Sequence, residues 1–222
     1  MTTVHHLQNS RSMRVIWLME ELGVDYELKV YERDPQTSLA PADYRALHPL
    51  GKAPIVTDGD TVLAETGAIV EYFLEKYPDA GLQPPPGTPE RVKYQYWMHT
   101  AEGSLMPLLM MQLFFNRMEN EPPFPIKQMV RMVTGKVRGF YLTPSLTNLL
   151  TYINDELGKS TYFAGETLTG ADIMMSFPLE AATARGGMND SIPHVLSWLE
   201  RIHAHPAYKR AEEKGGKTEI IG

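Results

Sequence analysis

The 222-residue chain contains no cysteine. Disulfides, a protein thiol nucleophile and thiolate metal ligation are therefore excluded. It also lacks any apolar run near the roughly 20 residues that a membrane-spanning helix requires. The opening MTTVHHLQNSRS has no secretory apolar core. These absences lead to the expectation of a cytoplasmic protein without membrane contact. There is no basic block, and the formal net charge is −6, which argues against nucleic acid as a partner but leaves room for a local small-anion site. Seven histidines are present, at 5, 6, 48, 99, 194, 203 and 205. None forms the i, i+4 pair of a helical zinc motif, and no metal is expected. His5 and His6 are adjacent on an expected strand, so they should point to opposite faces.

What is present falls into two unlike parts. Thr3 to Leu7 reads as a strand and Gln8 to Ser12 as a polar loop. Met13 to Leu22 reads as a helix with Val15, Leu18, Met19 and Leu22 on one face, ended by Gly23. A second strand over Tyr26–Tyr31, reached through that helix, should lie parallel to the first. Residues 32–40 read as loop and 41–47 as a short helix. Ile55-Val56 and Thr61–Ala64 flank Asp58-Gly59-Asp60, a hairpin signal. Glu65-Thr66-Gly67 then opens a helix carrying Val70, Phe73, Leu74 and Tyr77, and Pro78 stops it.

The proline-rich YPDAGLQPPPGTPE reads as a linker without regular structure. Thr88-Pro89-Glu90 starts a helix, and no strand is expected beyond it. Pro107 predicts a kink, residues 116–125 a break, and 126–140 and 146–157 helices. Thr143-Pro144 either separates those two helices or kinks one. Leu146, Leu149, Leu150, Ile153 and Leu157 make one apolar stripe. Thr169 and Asp172 have capping-box-like spacing, read as structural. Helices are expected again over 193–203, with Val195, Trp198, Leu199 and Ile202 on one face, and from Pro206 to the Gly215-Gly216 stop.

One stretch carries chemistry. The first N–H groups of a helix lack internal partners and bind carboxylate or phosphate readily. Glu65, just before the helix start, could take an ammonium. An amino-acid head group would then be gripped from both sides. The alternative is that Thr66 is a plain N-cap and Glu65 a dipole-compatible neighbour.

GKAP at 51–54, LAETGAI at 63–69, the opening HHLQNSRSMRVIWLMEELGVDYE and the later GETLTGADIMM occur in order. Together they resemble the glutathione S-transferases over nearly the whole chain, in particular bacterial and fungal members with an N-S-R-S first loop. The resemblance implies an α/β plus all-α fold. Residues 1–80 would be a thioredoxin-like glutathione-binding domain (β-α-β-α-β-β-α), 81–89 a linker, and 90–222 an all-helical domain lending an electrophile pocket. Without cysteine, the members that form a mixed disulfide with glutathione do not apply. His5 and His6 stand where the tyrosine-type members place a tyrosine.

The resemblance assigns roles residue by residue. Ser10 would donate a hydrogen bond to the glutathione sulfur, with Asn9 and Ser12 as rivals in the same loop. The thiolate is the nucleophile, and a hydroxyl, backbone N–H groups and the helix dipole all favour it. Lys52 would meet a glutathione carboxylate. Ala53 would pair its backbone with the cysteinyl unit beside a cis Pro54. Glu65 would take the γ-glutamyl ammonium and Thr66 the adjoining carboxylate. Met106 and Met110, with Met111, Phe114 and Phe115 near them, could line an adaptable electrophile pocket or simply form helix core. The expected function is conjugation of glutathione, as co-substrate, to a small apolar electrophile by a homodimer. Glutathione-dependent peroxidase, isomerase or dehalogenase chemistry, or a non-catalytic ligand-binding protein of the same fold, stay open.

Overall fold

A computed structural model describes residues 1–184 and 189–217. Residues 185–188 and 218–222 of the expected helical half therefore lie outside the described residues. The first part is built on four strands: β1 (Thr2–Leu7), β2 (Glu27–Tyr31), β3 (Ile55–Asp58) and β4 (Thr61–Ala64), in spatial order β2-β1-β3-β4. β1 and β2 are parallel, as the helical crossover requires; β3 is antiparallel to both β1 and β4. The hairpin turn is closed by Gly59, whose φ of 59° favours glycine. Helices α1 (Met13–Leu22), α2 (Ala42–Ala46) and α3 (Thr66–Lys76) complete the thioredoxin-like arrangement.

The strand period of two divides the residues of β1. Val4, with Val56 of β3, joins the main core, while Leu7, with Ile55, packs with Tyr44 and Ala40 on the other face. His5 and His6 separate in the same way. His5 contacts the Tyr31 hydroxyl at 3.0 Å and Thr57 Oγ1 at 3.3 Å, whereas His6 faces Ser12 and Gly215.

α1 differs from its expected one-sided pattern. Met13 through Glu20 are all buried, because α3, α8 (Gly170–Ala184) and α10 (Pro206–Gly215) pack around it as well as the sheet. The charged residues in it consequently need partners. Glu20 has Tyr26, Arg210 and Lys214, and Arg14 is described with the site below.

The second part is helical. Pro78–Ala80 forms one 3₁₀ turn in the stretch expected to be irregular. Thr88 caps α4 (Pro89–Thr100) by accepting from Arg91 N–H at 3.2 Å. The kink expected at Pro107 takes the form of a π turn over Ala101–Leu105, leading into α5 (Met106–Asn120). A proline has no N–H to offer the carbonyl four residues back, and a wider turn accommodates that loss. The same device recurs. α6 (Ile126–Val137) passes through a π turn at Arg138–Leu142 into α7 (Thr143–Leu157), with Pro144 in the equivalent place. Thr143-Pro144 therefore reshapes one continuous helix instead of dividing it. α5 extends to Asn120, so the break is shorter than expected. The run from Phe114 to Asn120 keeps a helical N–H ladder without proline, and Pro122, Pro123 and Pro125 end it.

α9 (Pro193–Ala204) and α10 follow. The α8 start is pressed against α3: a Cβ on Gly170 would lie 2.8 Å from Leu74 Cδ1 and 3.0 Å from Val70 Cγ1. One apolar cluster runs without interruption from Val4 to Ala211 across both parts. Among the described residues no helix is long and apolar enough to cross a membrane.

Candidate functional site

Strand register gathers the candidate residues at one end of the sheet. β1 ends at Leu7 and feeds the loop 8–12. Ile55, the first residue of β3, lies opposite His5 on one side and Ala64, the last residue of β4, on the other. The Ala53-Pro54 step, the Glu65-Thr66 helix start and the Asn9–Ser12 loop therefore emerge together. The Ala53-Pro54 peptide is cis.

Glu65 is exposed and holds φ 72°, ψ 121°. That left-handed backbone is costly for a side chain-bearing residue, and such strain gathers at ligand clamps. Its carboxylate makes no cap to α3. Glu65 itself stands at the N-cap position and Thr66 is the first residue of the helix, so the reading of Thr66 as a plain N-cap does not hold. Thr66 is 3% exposed, and its hydroxyl accepts from Arg14 Nη2 at 3.1 Å, which leaves its own proton to donate. Lys52 is exposed beside the cis step.

The loop before α1 holds its hydroxyls tightly. Ser10 Oγ lies 2.7 Å from Ser12 Oγ and accepts the Ser12 backbone N–H at 3.2 Å. Ser12 Oγ lies 2.8 Å from His6 Nδ1, and His6 Nε2 lies 2.9 Å from the Gly215 carbonyl. Ser12 has no exposed surface, whereas Ser10 is 6% exposed. Of the three rivals in this loop, Ser12 is thus walled in. Asn9 is half-buried and holds φ 53°.

Two residues that sequence reasoning passed over bind this end of the sheet to the helical part. Arg14 is 1% exposed and donates to the Met174 carbonyl at 2.7 Å, to Thr66 Oγ1, and to Glu102 Oε1 at 2.5 Å. Glu102, in the π turn after α4, also takes Arg11 at 3.0 Å. Burial pulls the Arg14 guanidinium below its ordinary range, and Glu102 pulls it back. A signal was available: Arg14 interrupts an otherwise apolar run, MRVIWLM, and an arginine inside such a run demands a buried acceptor set.

The structure separates the two methionines expected at an electrophile pocket. Met106 is 3% exposed and lies in the core, while Met110, Met111 and Phe115 are half-buried at its edge and Phe114 is exposed. Thr169 and Asp172 do act structurally. Asp172 accepts from the N–H and hydroxyl of Thr169, from Phe163 N–H and from Trp198 Nε1. Among the described residues no group of three or more histidine, aspartate or glutamate side chains could hold a metal ion.

Residues 1–75 match the family model described as glutathione S-transferase, N-terminal domain, and residues 133–206 the one described as glutathione S-transferase, C-terminal domain. Glutathione S-transferase 3 of Schizosaccharomyces pombe is 36% identical over 214 residues, covering 96% of this chain and 88% of that protein. The crystal structure of a glutathione S-transferase from Actinobacillus pleuropneumoniae superposes with a TM-score of 0.80 at 33% identity, over 99% of this chain and 95% of that one. A sphingomonad glutathione S-transferase solved in complex with glutathione shares the fold, with a TM-score of 0.73 at 20% identity over 96% and 98% of the two chains. With both halves matched and the sequence followed almost end to end, the chain belongs to the glutathione S-transferase family.

Proposed function

We propose that the protein is a glutathione transferase that holds glutathione along the end of the sheet and activates its thiol for attack on an apolar electrophile. The observation that carries this reading is the convergence of a strained, exposed Glu65, the Thr66 helix start and the cis Ala53-Pro54 step on one sheet end. Glu65 takes the γ-glutamyl ammonium. The first N–H groups of α3 and the Thr66 hydroxyl take the adjacent carboxylate. Ala53 pairs its backbone with the cysteinyl unit in the manner of an added strand, and Lys52 meets a glutathione carboxylate.

The sulfur then falls at the loop before α1, next to Ser10 or Asn9. A free thiol has a pKa of about 8.5, and each unit of depression corresponds to about 1.4 kcal/mol of preference for the thiolate. We assign the contact to Ser10. It acts by hydrogen bonding and never as a nucleophile. The electrophile side is assigned to the half-buried Met110, with Met111 and Phe115, whose flexible thioethers adapt to varied apolar partners; Met106 backs them from the core. The working unit is proposed to be a cytoplasmic homodimer, active in detoxification.

The test is glutathione binding by calorimetry together with turnover of a generic aromatic halide, for wild type, Ser10→Ala and Glu65→Ala. Wild type should bind and turn over. Ser10→Ala should bind but lose turnover by tenfold or more on the order of one pKa unit's worth of thiolate. Glu65→Ala should weaken binding itself. Turnover unchanged in Ser10→Ala moves the contact to Asn9, and no binding by any of the proteins removes the reading. Binding with reduction of hydroperoxides but no conjugation would select a peroxidase on the same site.

A further inference from the structure

The His6 side chain is buried on the inner face of β1 and has no part in the glutathione cradle. Its two ring nitrogens are nevertheless both engaged, at 2.8 Å by Ser12 Oγ and at 2.9 Å by the Gly215 carbonyl. A carbonyl can only accept, so Nε2 carries the proton and donates. A neutral ring then has a lone pair at Nδ1, and Ser12 must donate to it. The Leu7 carbonyl lies 3.3 Å from the same hydroxyl, but Nδ1 at 2.8 Å faces it with a lone pair and takes the hydrogen bond; Ser12 Oγ can then only accept across the 2.7 Å contact with Ser10. The Ser10 proton therefore points to Ser12, one lone pair takes the Ser12 N–H, and the other is left to accept. In this resting arrangement Ser10 is poised to receive a proton, whereas a hydroxyl that merely cradles a thiolate would be poised to give one.

We infer that His6 is a positioning residue at the end of a hydroxyl relay, through Ser12 and Ser10, that draws the proton from the glutathione thiol. This rests on the reading of Ser10 as the residue at the sulfur. The step balances without a co-reactant. The S–H bond breaks as its proton forms a new O–H bond on Ser10. The former Ser10 proton moves to Ser12, and the former Ser12 proton forms Nδ1–H on His6. One thiolate and one imidazolium result.

After the shift the three bonds along the relay have reversed, while the Ser12 N–H stays on Ser10. Ser10 donates to the sulfur, Ser12 to Ser10, and His6 to Ser12, while Nε2–H stays on Gly215. Both N–H groups of the imidazolium have acceptors, as a buried cation requires. In the resting state burial holds the His6 ring below its ordinary range, with the Gly215 carbonyl acting the other way. Among the described residues, no charged side chain acts on the ring. Its surroundings are Ser12, Met13 and Ile16 at the start of α1, Val30 in register on β2, and the backbone of Gly215 on α10. The thiolate formed at Ser10 is then the one charge that stabilises the imidazolium.

The test compares two quantities on the full chain with glutathione near neutral pH. The ultraviolet absorbance of the bound thiolate gives the amount formed. Calorimetry in two buffers of different ionisation enthalpy gives the protons released. The relay keeps the proton, so wild type should form thiolate with close to zero protons released. His6→Gln and Ser12→Ala should each raise the apparent pKa of the bound thiol by a unit or more, cutting kcat about tenfold with little change in KM for glutathione. In both variants, whatever thiolate remains should appear with one released proton. Ser12→Ala guards against a folding defect in His6→Gln, because it keeps the His6 ring and its bond to Gly215. One proton released per thiolate in wild type, or a wild-type thiol pKa in both variants, overturns the relay even where Ser10→Ala still impairs the thiol. An unchanged thiol pKa in Ser10→Ala, or no glutathione binding by wild type, overturns it by removing the reading beneath it.

Discussion

Arg14→Leu tests how the two parts of the molecule are joined. The guanidinium is 1% exposed, and its acceptors come from three separate segments. The Met174 carbonyl is the informative one. Four residues on, where a helix would supply an N–H, stands Pro178 inside α8. The helix leaves that carbonyl unpaired, and Arg14 Nη1 fills the place at 2.7 Å. Leucine in place of Arg14 orphans the carbonyl at about 1–3 kcal/mol and removes a donor from Thr66 at about 1 kcal/mol. Glu102 is 29% exposed and keeps Arg11, so the roughly 3–5 kcal/mol of a fully stranded buried charge does not apply. Apolar burial of the new side chain returns about 1 kcal/mol. The net loss should be about 1–3 kcal/mol. In a Pro178→Ala background the N–H of residue 178 reclaims the carbonyl, and the same Arg14→Leu change should cost about 1–2 kcal/mol less. Urea unfolding of the four proteins, at one protein concentration, closes the double-mutant cycle. A coupling below about 0.5 kcal/mol would refute the claim that Arg14 stands in for the missing helix bond.

Two carboxylates should shape the pH dependence of stability in opposite senses. Hydrogen bonding from Lys76, then from Thr2 and Tyr72, holds Asp58 at about 2, below its ordinary 3.8, against a smaller push upward from burial. Its contribution is therefore full above pH 3.8 and lost as the pH falls through about 2; Asp58→Asn should cost on the order of 1 kcal/mol at neutral pH and flatten that acid limb in denaturant titrations. Burial pushes Asp172 up to about 6, against hydrogen bonds from Phe163, Thr169 and Trp198. Its contribution is full below pH 3.8 and lost as the pH rises through about 6, so Asp172→Asn should abolish that decline while lowering stability at low pH, where the protonated acid can donate to Thr169 Oγ1. Sedimentation should give twice the 25.1 kDa chain mass; a species at the chain mass would remove the homodimer.

The fold was largely legible because its signals are local. Alternation in β1, the Asp58-Gly59-Asp60 turn, Thr88 before Pro89 and the Gly215 stop each act within a few residues. The Glu65-Thr66 start and the cis Pro54 site were legible through resemblance, and strand register then brought them together. The helix interruptions were legible only as prolines; whether Pro107 and Pro144 break or widen a helix depends on packing around the turn. Arg14 and Glu102 were passed over, and the partners of His6 were not foreseen, for a different reason. Their partners lie 160, 88 and 209 residues away, and no window of periodicity spans such distances. Arg14 alone left a trace, as a charge inside an apolar run.

The placement of α10 has a consequence for the order in which the molecule matures. Glu20 on α1 is satisfied by Arg210 and Lys214, and His6 by Gly215. During synthesis those partners leave the ribosome some 200 residues after the first strand. The sheet can form early from contacts among the first 76 residues, yet its loop hydroxyls and the buried Glu20 wait for the last described helix. On the proposed reading, the nascent chain would hold a nearly finished glutathione cradle whose proton relay waits for α10. Closure of α10 over α1 is a late, long-range event of the kind that slows folding, and under the proposed relay thiol activation would have to wait for it.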